Sequence, residues 1–399
     1  MNDATQPYNT TPCRECGSQR VWSQAGSQMY LMPRLFSYIR LQALVCINCG
    51  HTTMYAEEPE KLRQKTKKVK CQSSDTIEKT ARKNVLRRYC EEVFMKRIQF
   101  GWTIPSGARE QARGPFLATI NQGFDIIKGH FDSAWLTDHL QYNDNSLLEG
   151  WTALTYHAAQ HPEFDFGHAV LSQSFRNPAL LAKMAATFQY LSDGHFILGI
   201  GAGWKEDEYQ AYGYNFPSAG VRIEELEETL QIVKALWHEK QATVEGKHYQ
   251  VRNAYAEPKP DPMPTIMIGG SKPRMLRLVA RHADWWNVSW TGIQDYRTQV
   301  EECERACDVV GRDSATLRRT WFGGCLCAPT EAEVQALNGM EMSSANAFVG
   351  TPAQILEQMQ PFLDLGVDYF MLNCGGFPEL TTLETLVNEV LPTLNRNRE

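Results

Sequence analysis

The feature that most restricts the fold is an alternation of strand-like and helix-like segments, which begins at Met95 and continues almost to the C-terminus. Each strand-like segment is short and apolar, and apolar residues at helical spacing follow it. The predicted strands are Ile98–Thr103, Ser133–Leu136, Phe166–Leu171, Phe196–Ile200, Thr265–Ile268, Trp286–Ser289, Arg319–Cys327 and Tyr369–Asn373. Eight such units predict an α/β fold, a (β/α)8 TIM barrel, with a doubly wound open sheet as the alternative.

The helices between these strands are predicted from apolar residues spaced three and four apart. They cover 146–160, 178–190, 220–239, 272–282, 293–310, 352–364 and 379–394. A longer insertion separates the fourth strand from the fifth and contains a hairpin-like segment, Thr243–Val251, then a proline at every second position from Pro258 to Pro264. Such prolines favour extended chain, so we expect an excursion over the barrel rim, where substrate covers are found.

Three alternate glycines, Gly199, Gly201 and Gly203, end the fourth predicted strand. Because glycine has no Cβ, glycines at a strand end allow a flat ligand or a phosphate to approach the backbone. Their spacing and position differ from the G-x-G-x-x-G that opens a dinucleotide-binding fold. They predict a cofactor-sized site, with a tight turn that binds no ligand as the alternative.

Two other strand ends carry residues suited to chemistry, and barrel active sites lie at the C-terminal ends of the strands. The second strand ends in Asp138-His139, a base with an adjacent carboxylate that could orient it. The fifth ends in Gly269-Gly270-Ser271, where backbone N–H groups and the following helix favour an anion such as phosphate. A structural hydrogen bond is the alternative for the first pair, and a simple helix cap for the second.

Upstream of the barrel, residues 10–60 predict a small zinc-ribbon-like module. Two C-x-x-C-G pairs supply four thiolates, Cys13, Cys16, Cys46 and Cys49, with short strands predicted at Val21–Trp22, Tyr38–Val45 and Thr52–Tyr55. Four thiolates suit a closed, tetrahedral structural zinc site, and a metal stabilises a module too small for a large core. Four ordinary buried cysteines are the alternative, and a redox C-x-x-C lacks the expected βαβ setting.

Residues 61–94 predict a basic linker and a helix that joins the two modules. Lys61–Lys70 holds six Lys or Arg and no acid, and Ser74 could cap the helix. The first 94 residues carry a net charge of +6 (15 basic minus 9 acidic) and the remainder −12 (25 minus 37). A basic arm of this kind can bind nucleic acid or equally an acidic partner, and for Lys61–Lys70 a solvated linker or helix edge is the alternative.

The remaining bulk features predict a soluble cytoplasmic protein. There is no apolar run long enough to span a membrane, so no membrane partner is expected, and the first residues lack the pattern of a signal peptide. The 11 cysteines, an odd number, argue for a reducing compartment rather than a disulfide framework.

Several blocks of the chain, in order, resemble the luciferase-like (bacterial luciferase superfamily) flavin- and deazaflavin-dependent oxidoreductases, which are (β/α)8 barrels. These blocks include WLTDHL, GHAVLSQSFRNPALLAKMAA, GIGAGWKEDEYQAYGYNFP, EGKHY and PTIMIGGSKPRMLRLVARHADWWN. The resemblance covers about residues 96–394 and implies a barrel domain over 95–395, so the zinc-ribbon-like part is an addition that the family does not usually carry.

The resemblance also implies roles for individual residues. Asp138 and His139 match the pair that lies beside the ring in deazaflavin-using members, where His139, held by Asp138, would move the substrate proton. Ala169–Val170 matches a non-prolyl cis peptide that supports the ring. The remaining cofactor-binding positions are Gly201, Ala202 and Gly203 along the ring, and Gly269, Gly270 and Ser271 at the phosphate.

The blocks are most similar to members that use the 8-hydroxy-5-deazaflavin coenzyme F-420, which implies hydride transfer to or from a small organic substrate. The first alternative is an FMN-dependent monooxygenase, and an alternative of another class is a protein that binds nucleic acid or a partner through the zinc ribbon. Sugar-phosphate dehydrogenases of the deazaflavin branch carry Glu where this chain has Trp204, which suggests a more apolar substrate pocket, formed by Trp135, Trp204 and Trp290. A homodimer is a family expectation.

Overall fold

The computed structural model describes residues 97–396, except 109–110, 144, 338–341 and 343–344, and the backbone of four strands nearer the N-terminus. The chain divides into two compact units, Met1–Glu91 and Glu92–Glu399. Within the described residues, no helix is both long and apolar enough to cross a membrane.

The described part of the first unit is an antiparallel sheet. The third strand lies at its centre and pairs with the other three. The strands are β1 (Arg20–Trp22), β2 (Met29–Met32), β3 (Phe36–Cys46) and β4 (Thr52–Ala56). Three of them coincide with predicted strands, whereas β2 was not predicted.

Most of the cysteines of the predicted zinc-ribbon-like module lie outside the described residues. Cys13, Cys16 and Cys49 lie outside the described residues, and Cys46 is the last residue of β3. Among the residues that the structure describes, no group of three or more metal-ligating side chains occurs. The basic linker and its helix at 61–94 also lie outside the described residues. The zinc site therefore stays a prediction.

The second unit contains a closed barrel of eight parallel strands, which confirms the predicted fold class, and the open sheet is wrong. The eight strands pair in chain order, and the ring closes between the last and the first. They are β5 (Gln99–Thr103), β6 (Ser133–Leu136), β7 (Asp165–His168), β9 (Phe196–Gly201), β12 (Thr265–Gly269), β13 (Trp285–Ser289), β14 (Arg318–Cys327) and β16 (Val367–Cys374). Two short strands pair at its edge, β8 (Leu171–Ser172) with β9 and β15 (Ala347–Gly350) with β14.

Helices follow the barrel strands. They are α1 (Arg113–Ile127), α2 (Gly150–Gln160), α3 (Pro178–Leu191), α4 (Glu206–Ala211), α5 (Ala219–His238), α6 (Pro273–His282), α7 (Ile293–Val310), α8 (Glu331–Leu337), α9 (Pro352–Asp364), α10 (Thr381–Thr385) and α11 (Leu391–Arg396). A π-helical turn, Leu386–Val390, joins the last two. Helix α1 was not predicted, and its N-cap, Ala112, makes no side-chain capping bond that would mark its start.

The inserted segment between β9 and β12 forms the predicted hairpin, from β10 (Ala242–Glu245) and β11 (Gln250–Ala254). Glu228 of α5 fixes its turn, because this carboxylate accepts the backbone N–H groups of three consecutive turn residues, each at 2.8 Å. The hairpin is therefore attached to the helix that precedes it.

The inside of the barrel is filled by its own side chains. An inner cluster separate from the main core comprises Trp135, Ala169, Ile197, Met267, Phe322, Tyr369 and Met371. Trp135 is fully buried and its indole Nε1 donates to Ser133 Oγ at 2.6 Å. The Ser133 hydroxyl also hydrogen-bonds the hydroxyl of Tyr369. Because this cluster fills the interior, a ligand site is expected at the mouth, where the C-terminal strand ends meet.

Candidate functional site

His139 lies on the loop after β6, and its ring is held by a residue from another loop. Its Nδ1 is 3.1 Å from Oε1 and 3.3 Å from Oε2 of Glu208, which lies in the short helix α4 after β9. The backbone N–H of Leu140 donates to the same carboxylate at 3.0 Å. The Glu208 side chain is buried, whereas the His139 ring is one-fifth exposed. Because a carboxylate only accepts, Nδ1 carries the proton of this bond, and Nε2 makes no hydrogen bond to any residue that the structure describes.

Asp138 does not hold His139, which corrects the sequence-based assignment. Its carboxylate is buried and forms a bidentate pair with Arg176, both N–O distances being 2.8 Å. It also accepts the backbone N–H of Ser172 at 2.9 Å. Successive side chains on extended backbone point in opposite directions, so adjacent residues contact different partners. Asp138 thus anchors the β6 loop to the chain around β8, while Glu208 orients the histidine.

The peptide bond between Ala169 and Val170 is cis, as the resemblance implies. The Val170 side chain lies over two cofactor-position glycines: a Cβ on Gly201 would lie 2.8 Å from its Cγ2, and one on Gly269 would lie 3.1 Å from its Cγ1. A larger residue at either position would therefore displace Val170. Because both positions are glycine, the Val170 side chain can lie at the barrel mouth. It forms an apolar surface there that fits one face of a flat ring.

Gly199 and Gly203, the other two glycines near the end of β9, are required by the packing of the chain around them. A Cβ on Gly199 would overlap the carbonyl oxygen of His168, and one on Gly203, where φ is +73°, would overlap the hydroxyl of Tyr209. Ala202 is half-buried and packs against the main core. The packing thus supports the tight-turn interpretation for Gly199 and Gly203, and leaves Gly201 as the glycine that shapes the mouth.

The turn Gly269-Gly270-Ser271 precedes α6, and its geometry suits an anion. Gly270 is fixed from both sides: its N–H donates to the carbonyl of Asn287 at 3.1 Å, and its carbonyl accepts from the indole of Trp286 at 2.8 Å. The N-cap of α6 is Lys272, whose side chain makes no capping bond, so Ser271 is not a simple helix cap. The first N–H groups of α6 thus have no side-chain cap, beside the exposed Lys272 and Arg274.

The three tryptophans of the predicted substrate pocket do not form one pocket. Trp135 has no exposed surface and belongs to the inner cluster. Trp204 is 67% exposed and its ring meets that of His139 edge-on, with centroids 5.8 Å apart. Trp290 is 40% exposed and lies edge-on to Phe322 at the end of β13. The rim therefore carries two of the three tryptophans, and Trp204 lies beside the histidine.

Glu208 was not among the residues predicted for the site, and it is one of three consecutive acidic residues at the start of α4. In the structure Glu206 is exposed and bonds Gln210 within its helix, and Asp207 pairs with Lys205. Glu208 is the one that turns inward. All three are acidic residues in the first turn of α4, and only the rotation of the helix distinguishes them.

Comparisons with known proteins agree with this fold. The sequence profile of the luciferase-like monooxygenase family matches residues 128–340. The F420-dependent glucose-6-phosphate dehydrogenase of Kineococcus radiotolerans is 30% identical over 195 residues, 47% of this chain and 58% of the relative. The enzyme of that name from Microbacterium testaceum is 25% identical over 67% of this chain and 90% of its own length. The FMNH(2)-dependent dimethylsulfone monooxygenase of Pseudomonas fluorescens is 28% identical, covering 58% and 78%.

Two solved structures share the architecture. An F420-dependent secondary alcohol dehydrogenase, in complex with an F420-acetone adduct, superimposes with a TM-score of 0.65 at 18% identity, covering 75% of this chain and 99% of that one. The EDTA monooxygenase of Chelativorans sp. BNC1 gives a TM-score of 0.66 at 18% identity, covering 76% and 96%. At this identity they show a common fold. With more than half of its residues matched by the family profile, the chain belongs to the luciferase-like monooxygenase family.

Proposed function

We propose that the barrel catalyses deazaflavin (F-420)-dependent hydride transfer to or from a small organic substrate. The observation that carries this proposal is the His139–Glu208 pair at the mouth, with Nε2 of the ring open. The F420-dependent relatives named above support the choice of coenzyme.

The residues at the mouth fit such a coenzyme. Val170, seated over Gly201 and Gly269, offers an apolar surface for one face of a ring. The Gly269–Ser271 turn, with the start of α6, would hold a phosphate group. When bound, the deazaflavin supplies a ring carbon that takes up or gives back a hydride.

His139 would accept or donate the proton that is transferred together with this hydride. When the substrate is an alcohol, its carbon loses a hydride, its hydroxyl proton passes to Nε2 of His139, and a carbonyl forms. In the reverse direction the protonated ring returns that proton to the carbonyl oxygen. Glu208 fixes the orientation of the ring, because its carboxylate accepts a hydrogen bond from Nδ1.

The rim residues favour an apolar substrate. Trp204 lies against His139 at the point where sugar-phosphate dehydrogenases carry Glu, and its exposed face offers apolar contact. We therefore propose a small alcohol or ketone with an apolar part, rather than a sugar phosphate, as the substrate class.

The reaction can be tested without oxygen. Purified protein is mixed with oxidised F-420 and a panel of small alcohols, or with reduced F-420 and the matching ketones, and the absorbance of the coenzyme is followed. We expect turnover with at least one apolar substrate, and a loss of about 100-fold or more in kcat for His139→Ala, since general acid–base groups contribute roughly 10²–10⁴-fold. The variant Glu206→Gln, at an exposed neighbour of the site, serves as the control. Turnover that is unchanged in His139→Ala would disprove the assigned role.

An FMN-dependent monooxygenase is the second candidate, because the dimethylsulfone monooxygenase of Pseudomonas fluorescens covers more than half of this chain. The two candidates differ in their need for oxygen. Oxygen uptake with reduced FMN, coupled to product formation and above the rate of the free flavin, would favour this candidate. Uptake equal to that of the free flavin would favour hydride transfer.

For the N-terminal module we propose a structural zinc ion held by Cys13, Cys16, Cys46 and Cys49. The C-x-x-C-G pairs support this proposal. Metal analysis of the purified protein should give one zinc per chain, and substitution of Cys13 and Cys16 by Ser should remove it. Full zinc retention in that variant would contradict the site.

A steep salt dependence of DNA binding that is lost on removal of residues 1–70 would support a nucleic-acid role for this module.

A further inference from the structure

A buried hydroxyl without a partner lies at the end of the first barrel strand. Along β5, Trp102 packs outward against Phe124 of α1, with ring centroids 5.3 Å apart. Gly101 faces inward, since a Cβ there would reach the Trp135 ring in the barrel interior. Side chains alternate along a strand, so Thr103 also faces inward, one layer nearer the mouth. Thr103 is 6% exposed, and its buried Oγ1 has no hydrogen-bond partner among the described residues.

A second polar side chain lies beside it on the neighbouring strand. Along β16, Tyr369 and Met371 belong to the inner cluster, so Asn373 also faces inward. Leu372 pairs with Trp102 in the register of the two strands, which places Asn373 next to Thr103. Asn373 is half-buried, and within the described part of the chain its amide makes no hydrogen bond. Two adjacent strands thus end in polar groups that lack partners.

Such a pair is unusual inside a protein. Buried polar groups are nearly always hydrogen-bonded, because an unmade bond costs the desolvation of the group. A threonine hydroxyl can donate and accept, and an asparagine amide offers two donors and an acceptor. Together they match a flat ligand edge on which acceptors and a donor alternate.

The order of the strands shows where this pair lies relative to the predicted phosphate-binding turn. β5 and β16 are neighbours, and the strands opposite them in the ring are β9 and β12, which carry Gly201 and the Gly269–Ser271 turn. If a coenzyme binds with its phosphate at that turn, Thr103 and Asn373 therefore lie on the opposite side of the mouth. We propose that Thr103 and Asn373 bind the pyrimidinedione edge of the coenzyme ring, where two carbonyl groups flank an N–H. This inference rests on the proposed use of a deazaflavin or flavin at this mouth.

The test compares Thr103→Val, which replaces the hydroxyl by a methyl group of similar size, with Thr103→Ser, which keeps it. Each is titrated with oxidised F-420 and with FMN by fluorescence, and the Tm of each is measured without coenzyme. We expect Thr103→Val to weaken binding of the preferred coenzyme about tenfold, the size of one lost hydrogen bond, and Thr103→Ser to stay within about threefold of the wild type. Without coenzyme, Thr103→Val should be at least as stable as the wild type, because it removes the unpaired hydroxyl.

A residue with a merely structural role would lose stability and affinity together. Asn373→Leu provides the second, independent variant, and it should also weaken coenzyme binding. If the wild type binds a coenzyme and both variants bind it equally well, this inference is wrong while the proposed function stands. A raised substrate KM with unchanged coenzyme binding would assign the pair to the substrate and overturn the inference. If the wild type binds neither coenzyme, the proposed function fails and the inference fails with it.

Discussion

Glu208 accepts a hydrogen bond from Nδ1 of His139 at 3.1 Å, across 69 residues of sequence and between loops that follow two non-adjacent strands of the barrel. The same carboxylate accepts the N–H of Leu140. The contact fixes both the ring and the backbone of its loop, so the direction of Nε2 depends on a residue from another part of the chain.

Glu208→Gln keeps the size of the side chain but removes its charge. We expect kcat to fall about tenfold or more, because a neutral amide oxygen accepts from Nδ1 more weakly than a carboxylate and holds the ring less firmly, while coenzyme affinity stays within about threefold. Glu208→Ala should lose more, since the ring is then free to turn. Steady-state kinetics beside coenzyme titrations separate the two effects. Equal kcat in Glu208→Ala and in the control Glu206→Gln would rule out the positioning role.

Asp138 and Arg176 should behave as a structural pair. Asp138→Ala leaves a mostly buried guanidinium with only Glu149 as its carboxylate partner, and we expect a loss of about 3–5 kcal/mol in the free energy of unfolding. The double variant Asp138→Ala, Arg176→Met should lose less than the sum of the two single losses. Denaturant unfolding measures these values. A fully stable Asp138→Asn protein that is as inactive as His139→Ala would instead show that Asp138 acts on the chemistry.

Substitutions of two tryptophans should separate an effect on stability from an effect on substrate recognition. Trp135→Ala empties the barrel interior and should cost about 3–5 kcal/mol of stability. Trp204→Ala removes an exposed ring and should change stability by no more than about 0.5 kcal/mol. It should, however, raise the KM of an apolar substrate by about tenfold, the effect of one lost apolar contact. An unchanged KM in Trp204→Ala would remove Trp204 from the substrate site.

Stability should fall in mild acid because two histidines are buried in their neutral form. Burial lowers the pKa of His168 to about 3 and that of His157 to about 4, below the usual value of 6.5. Between pH 6.5 and 4 the unfolded chain therefore binds protons that the folded chain does not. The stability due to these residues is complete above pH 6.5 and is lost as the pH falls towards 4.

Each of the two histidines should contribute about 2 kcal/mol to the difference in unfolding free energy between pH 7 and pH 5. His168→Phe, which keeps a ring against Trp151, should reduce that difference by this amount. The exposed His130→Gln is the control. The prediction is wrong if His168→Phe and the wild type lose the same stability over this interval.

The barrel could be predicted because its signal is repeated. Eight short apolar segments alternate with helical periodicity, and each predicted strand from Ile98–Thr103 to Tyr369–Asn373 overlaps an observed one. Helix α1 was missed because it has no cap and no acidic residue in its first turn, so nothing local marks its start.

Side-chain direction at the site was harder to predict than the elements themselves. Asp138 and His139 are adjacent in sequence, but each bonds a residue far along the chain, and only the closed barrel brings those partners close. Trp135 was assigned to an apolar pocket together with Trp204 and Trp290, whereas strand alternation places its ring inside the barrel. Nothing in the sequence predicts that the hydroxyl of Thr103 is unpaired, because this depends on which side chains the fold places around it.

Every role assigned to the mouth depends on its binding a deazaflavin for hydride transfer, so coenzyme binding is the first property to measure. The full-length protein is titrated with oxidised F-420 and, in parallel, with FMN, and the fluorescence of each coenzyme is followed to saturation. We expect saturable binding of F-420 that is at least about tenfold tighter than that of FMN. Preference for FMN, or the absence of binding to either coenzyme, would contradict it.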